Sequence, residues 1–133
     1  MEKFNRVLLI DDDDVDNYLH KSILEETKIA SQISICRNGQ EALTYIEQTL
    51  HQEKESRSNA ELILLDINMP IMSGFEFLNA LRELDINHYY TVILSSSDNI
   101  IDVQEAANYE VVYYICKPLT VDKVKKMMER CFE

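Results

Sequence analysis

Asp11, Asp12 and Asp66 draw attention first, because each stands at the close of a short apolar run, Leu8-Leu9-Ile10 in one case and Leu62-Ile63-Leu64-Leu65 in the other. Ser95 closes a third run, Val92-Ile93-Leu94, and Lys117-Pro118 closes a fourth, Tyr114-Ile115-Cys116. If these runs are strands of an open α/β sheet, their carboxyl ends form the edge where ligands bind. Carboxylates, a hydroxyl and an ammonium then converge. Carboxylates on adjacent strand ends approach to about 5 Å, where each like-charge pair costs about 3 kcal/mol at an effective dielectric of about 20. Three of them need a cation or a proton. A small hard divalent ion with oxygen ligands answers that need, and Mg2+ held by one or two carboxylates is the expected form, with Mn2+ as the alternative. Such an ion neutralises an incoming phosphoryl group, Lys117 pairs with another of its oxygens, and Asp66 is left as the group positioned to attack phosphorus.

The elements that must position these residues are legible from apolar spacing. Val7 to Ile10, Leu62 to Leu65, Thr91 to Leu94 and Val111 to Cys116 are short, rich in Val, Ile or Leu and almost unalternating, as strands covered on both faces are. Gln32 to Cys36 alternates polar with apolar and reads as an edge strand. Between the strands lie helical stripes: Val15, Leu19, Ile23; Ala42, Leu43, Ile46, Leu50; Phe75, Leu78, Leu81; Ile101, Glu105, Ala106, Ala107; and Val121, Val124, Met128, Cys131. Strand and helix alternate five times, which predicts a doubly wound α/β domain with a parallel five-stranded sheet and five helices. The polar stretch from Glu47 to Ala60 reads as an extended helix end plus a loop.

Composition bounds the partners. Thirteen Lys and Arg against 24 Asp and Glu give a formal charge of -11 over 133 residues, so neither nucleic acid nor an anionic membrane is an expected partner. With only Gly39 and Gly74, no glycine-rich dinucleotide or phosphate loop can be written. Cys36, Cys116 and Cys131 form no C-x-x-C pair, which suits reduced thiols and a cytoplasmic location.

Taken in order, Leu8-Leu9-Ile10-Asp11-Asp12, Leu64-Leu65-Asp66-Ile67-Asn68-Met69-Pro70 with Gly74, Leu94-Ser95-Ser96-Ser97 and Lys117-Pro118-Leu119 resemble the receiver (response regulator) domain of bacterial two-component signalling, including the single-domain chemotaxis type. The likeness spans essentially the whole chain. It implies a flavodoxin-like fold with strand order 2-1-3-4-5, and residues 1–133 as one receiver domain without an output domain. It makes Asp66 the phospho-acceptor, fed by a sensor histidine kinase or a histidine phosphotransfer protein. Asp12, Asp66 and the backbone carbonyl of Asn68 become metal ligands, with Asp11 acting through water. Ser95 becomes the switch hydroxyl, Lys117 the phosphate-pairing lysine, and Tyr114 the aromatic that changes rotamer. Pro118 is implied to follow Lys117 through a cis bond, and Asn68 and Ser97 occupy positions that tune hydrolysis. The downstream partner is a protein, with Lys123, Lys126 and Arg130 of the last helix as a contact face. No enzymatic turnover is implied beyond Mg2+-dependent self-phosphorylation and dephosphorylation.

Blander readings apply to several of these residues. Asp13 and Asp14 read as helix-capping acids, and Lys123, Lys126 and Arg130 also fit a solvated face. His20, His51 and His88 lie at no strand end and read as surface residues, which leaves hydrolase chemistry without a base. Two further functions compete: a phosphorylation-independent binding module of the same fold, and an aspartyl-phosphate phosphatase, which usually carries a second Asp where Asn68 stands here.

Overall fold

The computed structural model describes residues 4–52, 60–84, 89–96 and 99–132. In chain order the elements are β1 (Phe4–Ile10), α1 (Asp14–Thr27), β2 (Ala30–Cys36), α2 (Gly39–Gln52), β3 (Ala60–Leu65), α3 (Gly74–Glu83), β4 (Tyr89–Ser95), α4 (Ile100–Ala106), β5 (Val111–Cys116) and α5 (Val121–Phe132). The strands form one parallel sheet in the order β2-β1-β3-β4-β5. This is the flavodoxin-like order, and the three central strands, β1, β3 and β4, each carry an almost continuously apolar run.

Alternate side chains of those strands feed two cores, because successive residues of a strand point to opposite faces. Val7, Leu9, Leu62, Leu64, Val92 and Leu94 pack with Leu24 of α1 and with Val124 and Met127 of α5. Leu8, Ile10, Ile63 and Leu65 pack on the other face with Ala42 and Ile46 of α2 and Phe77 and Leu78 of α3. Each fully buried aliphatic side chain contributes about 2 kcal/mol, so the central strands are anchored from both sides. At the end of β1 remote from the site, the buried Arg6 guanidinium pairs with Glu61 at 2.9 Å.

Four expectations need correction. In α1 the inward stripe is Asn17, His20 and Leu24, while Val15 and Leu19 are exposed and Ile23 is half-buried. The physical reason lies at the preceding loop, where the Asn17 amide donates to the Asp11 carbonyl at 2.9 Å and turns that face of the helix inward. His20 is buried as well, not a surface residue. In α4 the stripe holds only at Ala106, with Ile101 and Glu105 exposed, because this two-turn helix touches the sheet through its carboxyl end at Ile67 and Ile93. Finally, β5 is an edge strand and mostly half-buried, so its apolar run is only partly covered, on one face by the core around Ile115 and on the other by the cluster that Tyr114 packs against. The extended helix end from Glu47 reaches Gln52, whereas the loop beyond it falls on 53–59, outside the described residues. The same holds for His88 and Ser97, and for the side chains of Leu50 and His51.

Gly74 opens α3 against the β3–α3 turn, and its N–H donates to the Ile67 carbonyl at 3.1 Å. A Cβ there would lie 2.6 Å from Ile67 Cα and 2.7 Å from the Asp66 carbonyl oxygen, both backbone atoms that cannot step aside. Gly74→Ala is expected to cost about 2–4 kcal/mol and to displace the Asp66 loop. At Gly39 the added carbon meets Met72 Cγ and Sδ at 2.9 Å, the end of a flexible side chain, so Gly39→Ala is expected to cost about 1 kcal/mol or less. Urea melts of the two variants side by side check the contrast. Equal losses would contradict it.

Candidate functional site

The strand ends carry their site residues on continuations of the hydrogen-bond ladder. Asp11 N–H donates to the Cys36 carbonyl at 3.0 Å, Asp66 N–H to the Ile10 carbonyl at 2.9 Å, and Lys117 N–H to the Ser95 carbonyl at 2.8 Å. Each functional residue is therefore registered to its neighbouring strand, and the side chains project from one edge. They line an open polar cleft formed by Asp11, Asp12, Asp66, Asn68, Ser96 and Lys117.

Asp11, Asp12 and Asp66 each offer a carboxylate oxygen, and these oxygens all lie within 4.8 Å of one another. That spacing and the all-oxygen donor set fit a hard divalent cation such as Mg2+. Asp11 is further fixed by the Asp13 N–H, which donates to its Oδ1 at 3.0 Å. Asp13 itself caps α1, accepting from Val15 N–H and Asp16 N–H, as the capping reading expects. Asp14, read with it as a capping acid, lies in the first turn of α1 and pairs with Arg37.

Lys117 lies in the middle of the carboxylates. Its Nζ donates at 2.7 Å to Asp11 Oδ2, at 2.7 Å to Asp16 Oδ2 and at 3.5 Å to Asp66 Oδ2. Burial on its own would lower the pKa of this ammonium, but the bonds to Asp11 and Asp16 and the field of Asp66 outweigh it, and the value is raised above the ordinary lysine range. Lys117 is thus held charged.

Asp66 responds in the opposite sense. Burial pushes its carboxyl up to about 6 with help from the Asp11 charge, while the Asn68 N–H and Lys117 hold it back. The Asn68 N–H donates to Asp66 Oδ1 at 3.2 Å. A carboxylate that is desolvated, held only by two long contacts and faces an open cleft is poised to accept an electrophile or a cation.

The remaining expected residues fall into three places. Ser95 ends β4 with its residue fully buried, and it is the neighbouring Ser96 that lines the cleft. Tyr114 is half-buried on β5, packed against the small cluster of Ile67, Ile93 and Ala106. The Lys117–Pro118 peptide is cis, as the resemblance implied. On α5, Lys123 donates to the carbonyls of Cys116 and Pro118 at 2.8 and 3.0 Å, and Arg130 stands over the Tyr113 ring at 5.7 Å. Of the expected basic contact face, Lys126 is exposed, while Lys123 is tied back to the end of β5.

Apolar periodicity gave no hint of Asp16, Asn17 and His20, which bring the first turns of α1 to the site. Asn17 Oδ1 and His20 Nδ1 are buried without a hydrogen-bond partner among the described residues. Burial lowers the His20 pKa, and the nearby Asp16 charge partly offsets this. The usable signal was spacing: Asp16 and His20 lie one and two turns beyond Asp12 on a helix that starts at the site.

Comparison with known proteins points the same way. The family model described as the response regulator receiver domain matches residues 7–129. Response regulator Rcp1 of Synechocystis sp. is 30% identical over 124 residues, which cover 92% of this chain and 83% of Rcp1. Among solved structures, a two-component response regulator from Cytophaga hutchinsonii superposes with a TM-score of 0.81 at 29% identity, covering 99% of this chain and 100% of that one. The receiver domain of the histidine kinase CKI1 from Arabidopsis thaliana, solved in complex with Mg2+ and BeF3-, superposes with a TM-score of 0.78 at 20% identity. It covers 94% of this chain and 90% of that one, a likeness of fold alone.

Proposed function

The chain belongs to the response regulator receiver family, and we propose that within it Asp66 accepts a phosphoryl group from a histidine kinase or a histidine phosphotransfer protein, in the presence of Mg2+. The observation that carries this reading is the meeting of three carboxylate oxygens within 4.8 Å with the Lys117 ammonium beside them. In the proposed step an Asp66 carboxylate oxygen attacks phosphorus, the P–N bond of the donor phosphohistidine breaks, and its electron pair returns to the imidazole nitrogen. The product is an acyl phosphate on Asp66. Asp11 and Asp12, with Asp66 itself and the Asn68 backbone carbonyl, are the proposed holders of Mg2+; when bound, the ion supplies charge neutralisation between carboxylate and phosphoryl oxygens. Lys117 pairs with a phosphoryl oxygen and keeps its proton throughout, consistent with its raised pKa.

The switch proposed for the signal runs through Ser95 and Tyr114. The acyl phosphate carries a charge of about -2 where the carboxylate carried about -1, and it presents three acceptor oxygens, which is enough to draw the Ser95 hydroxyl toward the cleft. Tyr114 packs on the same cluster as Ala106 of α4, so a change at Ser95 reaches the exposed apolar face of α4 that carries Ile100, Ile101 and Val103. A protein partner meeting α4, β5 and the Lys126 side of α5 is the proposed output. The proposed setting is cytoplasmic, where thiols such as the exposed Cys116 remain reduced. Among the described residues no helix is long and apolar enough to cross a membrane.

The test is incubation with acetyl phosphate and Mg2+, followed by intact mass and site mapping. One phosphoryl group on Asp66, lost when a chelator is in excess, is the expected result. Labelling that maps elsewhere, or that survives chelation, would overturn the assignment.

A further inference from the structure

We infer that Asp16 is a releasable latch on Lys117, holding the ammonium away from Asp66 in the resting protein and giving it up when a phosphoryl group arrives. The inference rests on the proposed phosphorylation of Asp66 and concerns how that site is regulated. An ammonium has three N–H donors. Two of those on Lys117 are committed at 2.7 Å to Asp11 and Asp16, and Asp66, at 3.5 Å, receives the weakest contact. The third donor is the one left for a phosphoryl oxygen, and the two short bonds tether the ammonium toward Asp11 and Asp16, so drawing it closer to that oxygen loosens one of them.

The two carboxylates differ in how easily they let go. Asp11 has a side chain only 5% exposed, its Oδ1 is held by the Asp13 N–H, and it belongs to the carboxylate cluster. Asp16 stands on the first turn of α1 with its side chain 31% exposed, so rotation into water solvates its charge. Asp16 is thus the partner that yields. While engaged it acts in two ways, since it tethers the ammonium at 3.5 Å from Asp66 and adds a negative charge at the rim that the phosphoryl group must approach. Both effects raise the threshold for activation. Asp16 is accordingly a positioning residue acting through Lys117.

The experiment compares beryllofluoride binding, a mimic of the phosphoryl group, at saturating Mg2+ in four proteins, with Asp66 amide shifts as the readout. Asp16→Asn is expected to bind about fivefold more tightly than the wild type, a partly exposed charge-assisted bond being worth a factor of this size. Asp16→Glu, which restores the carboxylate, is expected within about twofold of the wild type, and so is Asp14→Asn, which removes the same charge from the same turn without touching Lys117. Acetyl phosphate labelling of the same four proteins is expected to follow the same order in rate. An equal gain in Asp14→Asn would reduce the effect to the general field and overturn the latch. An unchanged affinity in Asp16→Asn, with wild type labelled normally at Asp66, would overturn the latch alone. If the wild type neither labels at Asp66 nor binds beryllofluoride, the phosphorylation reading falls and takes the latch with it.

Discussion

Asp66→Asn is expected to abolish phosphoryl uptake and, in the same protein, to raise the stability of the metal-free fold at neutral pH. Uptake is lost because an amide has no anionic oxygen with which to attack phosphorus. Stability rises because burial lifts the Asp66 carboxyl from an ordinary 3.8 to about 6. An acid whose folded value is raised binds its proton more tightly in the native state than in the unfolded chain. Its contribution is then fully favourable below about pH 4 and is lost as pH climbs to about 6. Above that window the fold carries a buried charge, and removing it is worth on the order of 2 kcal/mol. Urea unfolding from pH 4 to 8 in chelator measures this. The wild type is expected to lose stability across the window relative to the variant, and the gap is expected to close when Mg2+ is added. A gap that stays constant with pH would show that the Asp66 charge is not what the fold is resisting.

That opposition between stability and function is partly legible in the sequence. The β1 and β3 runs are apolar at every position, so nothing short of a sheet core accommodates them, and the aspartates that close them are forced to one edge. Asp66, Asp11, Asp12 and Lys117 follow from strand ends alone, and the structure gathers all four. The strands were also easier to place than the faces of the helices. A run of four branched residues has one reading, whereas the α1 sequence carries two stripes, Val15-Leu19-Ile23 and Asn17-His20-Leu24, and the less apolar one is buried. What decides between them is the bond from the Asn17 amide to the Asp11 carbonyl. That contact exists only once α1 has docked beside the site, so no count of apolar residues can reveal it.

The same limit explains β5 and α4. Val111 to Cys116 is as apolar as a central strand, but sheet order rather than composition makes it an edge, and order came only with the family resemblance. In α4 the residues Ile100, Ile101 and Val103 are exposed although their spacing suits a core stripe. Exposed apolar residues of this kind cost the isolated domain solubility without adding to its core, which is why they are read above as a contact face. Asp16 escaped notice for a related reason. An acid in the first turn of a helix is satisfied by the helix dipole, and its second role depends on where Lys117 arrives from 101 residues away.

Lys117→Ala is expected to have the largest effect in the opposite direction. In the resting protein this one ammonium faces Asp11, Asp16 and Asp66, and its raised pKa means that the fold holds the proton more tightly than the unfolded chain does. A base raised in this way contributes stability that is complete below its ordinary value and lost only in the alkaline range, so at pH 7 the whole contribution is present. Without it, three carboxylates face one another with no ammonium between them, two of them in buried residues. Breaking a buried pair by removing one partner is costly, and here the expected loss is about 3 kcal/mol at pH 7 in chelator. Two features identify the cause. Lowering the pH from 7 to 5 is expected to recover part of the loss, because Asp66, freed from the Lys117 field that holds its pKa down, protonates still more readily. Adding Asp66→Asn to Lys117→Ala is expected to recover more stability than Asp66→Asn adds to the wild type, since the repulsion it relieves is larger. If the double variant is instead as unstable as Lys117→Ala, then Lys117 stabilises the fold through the packing of its stem, and the electrostatic account of this site is wrong.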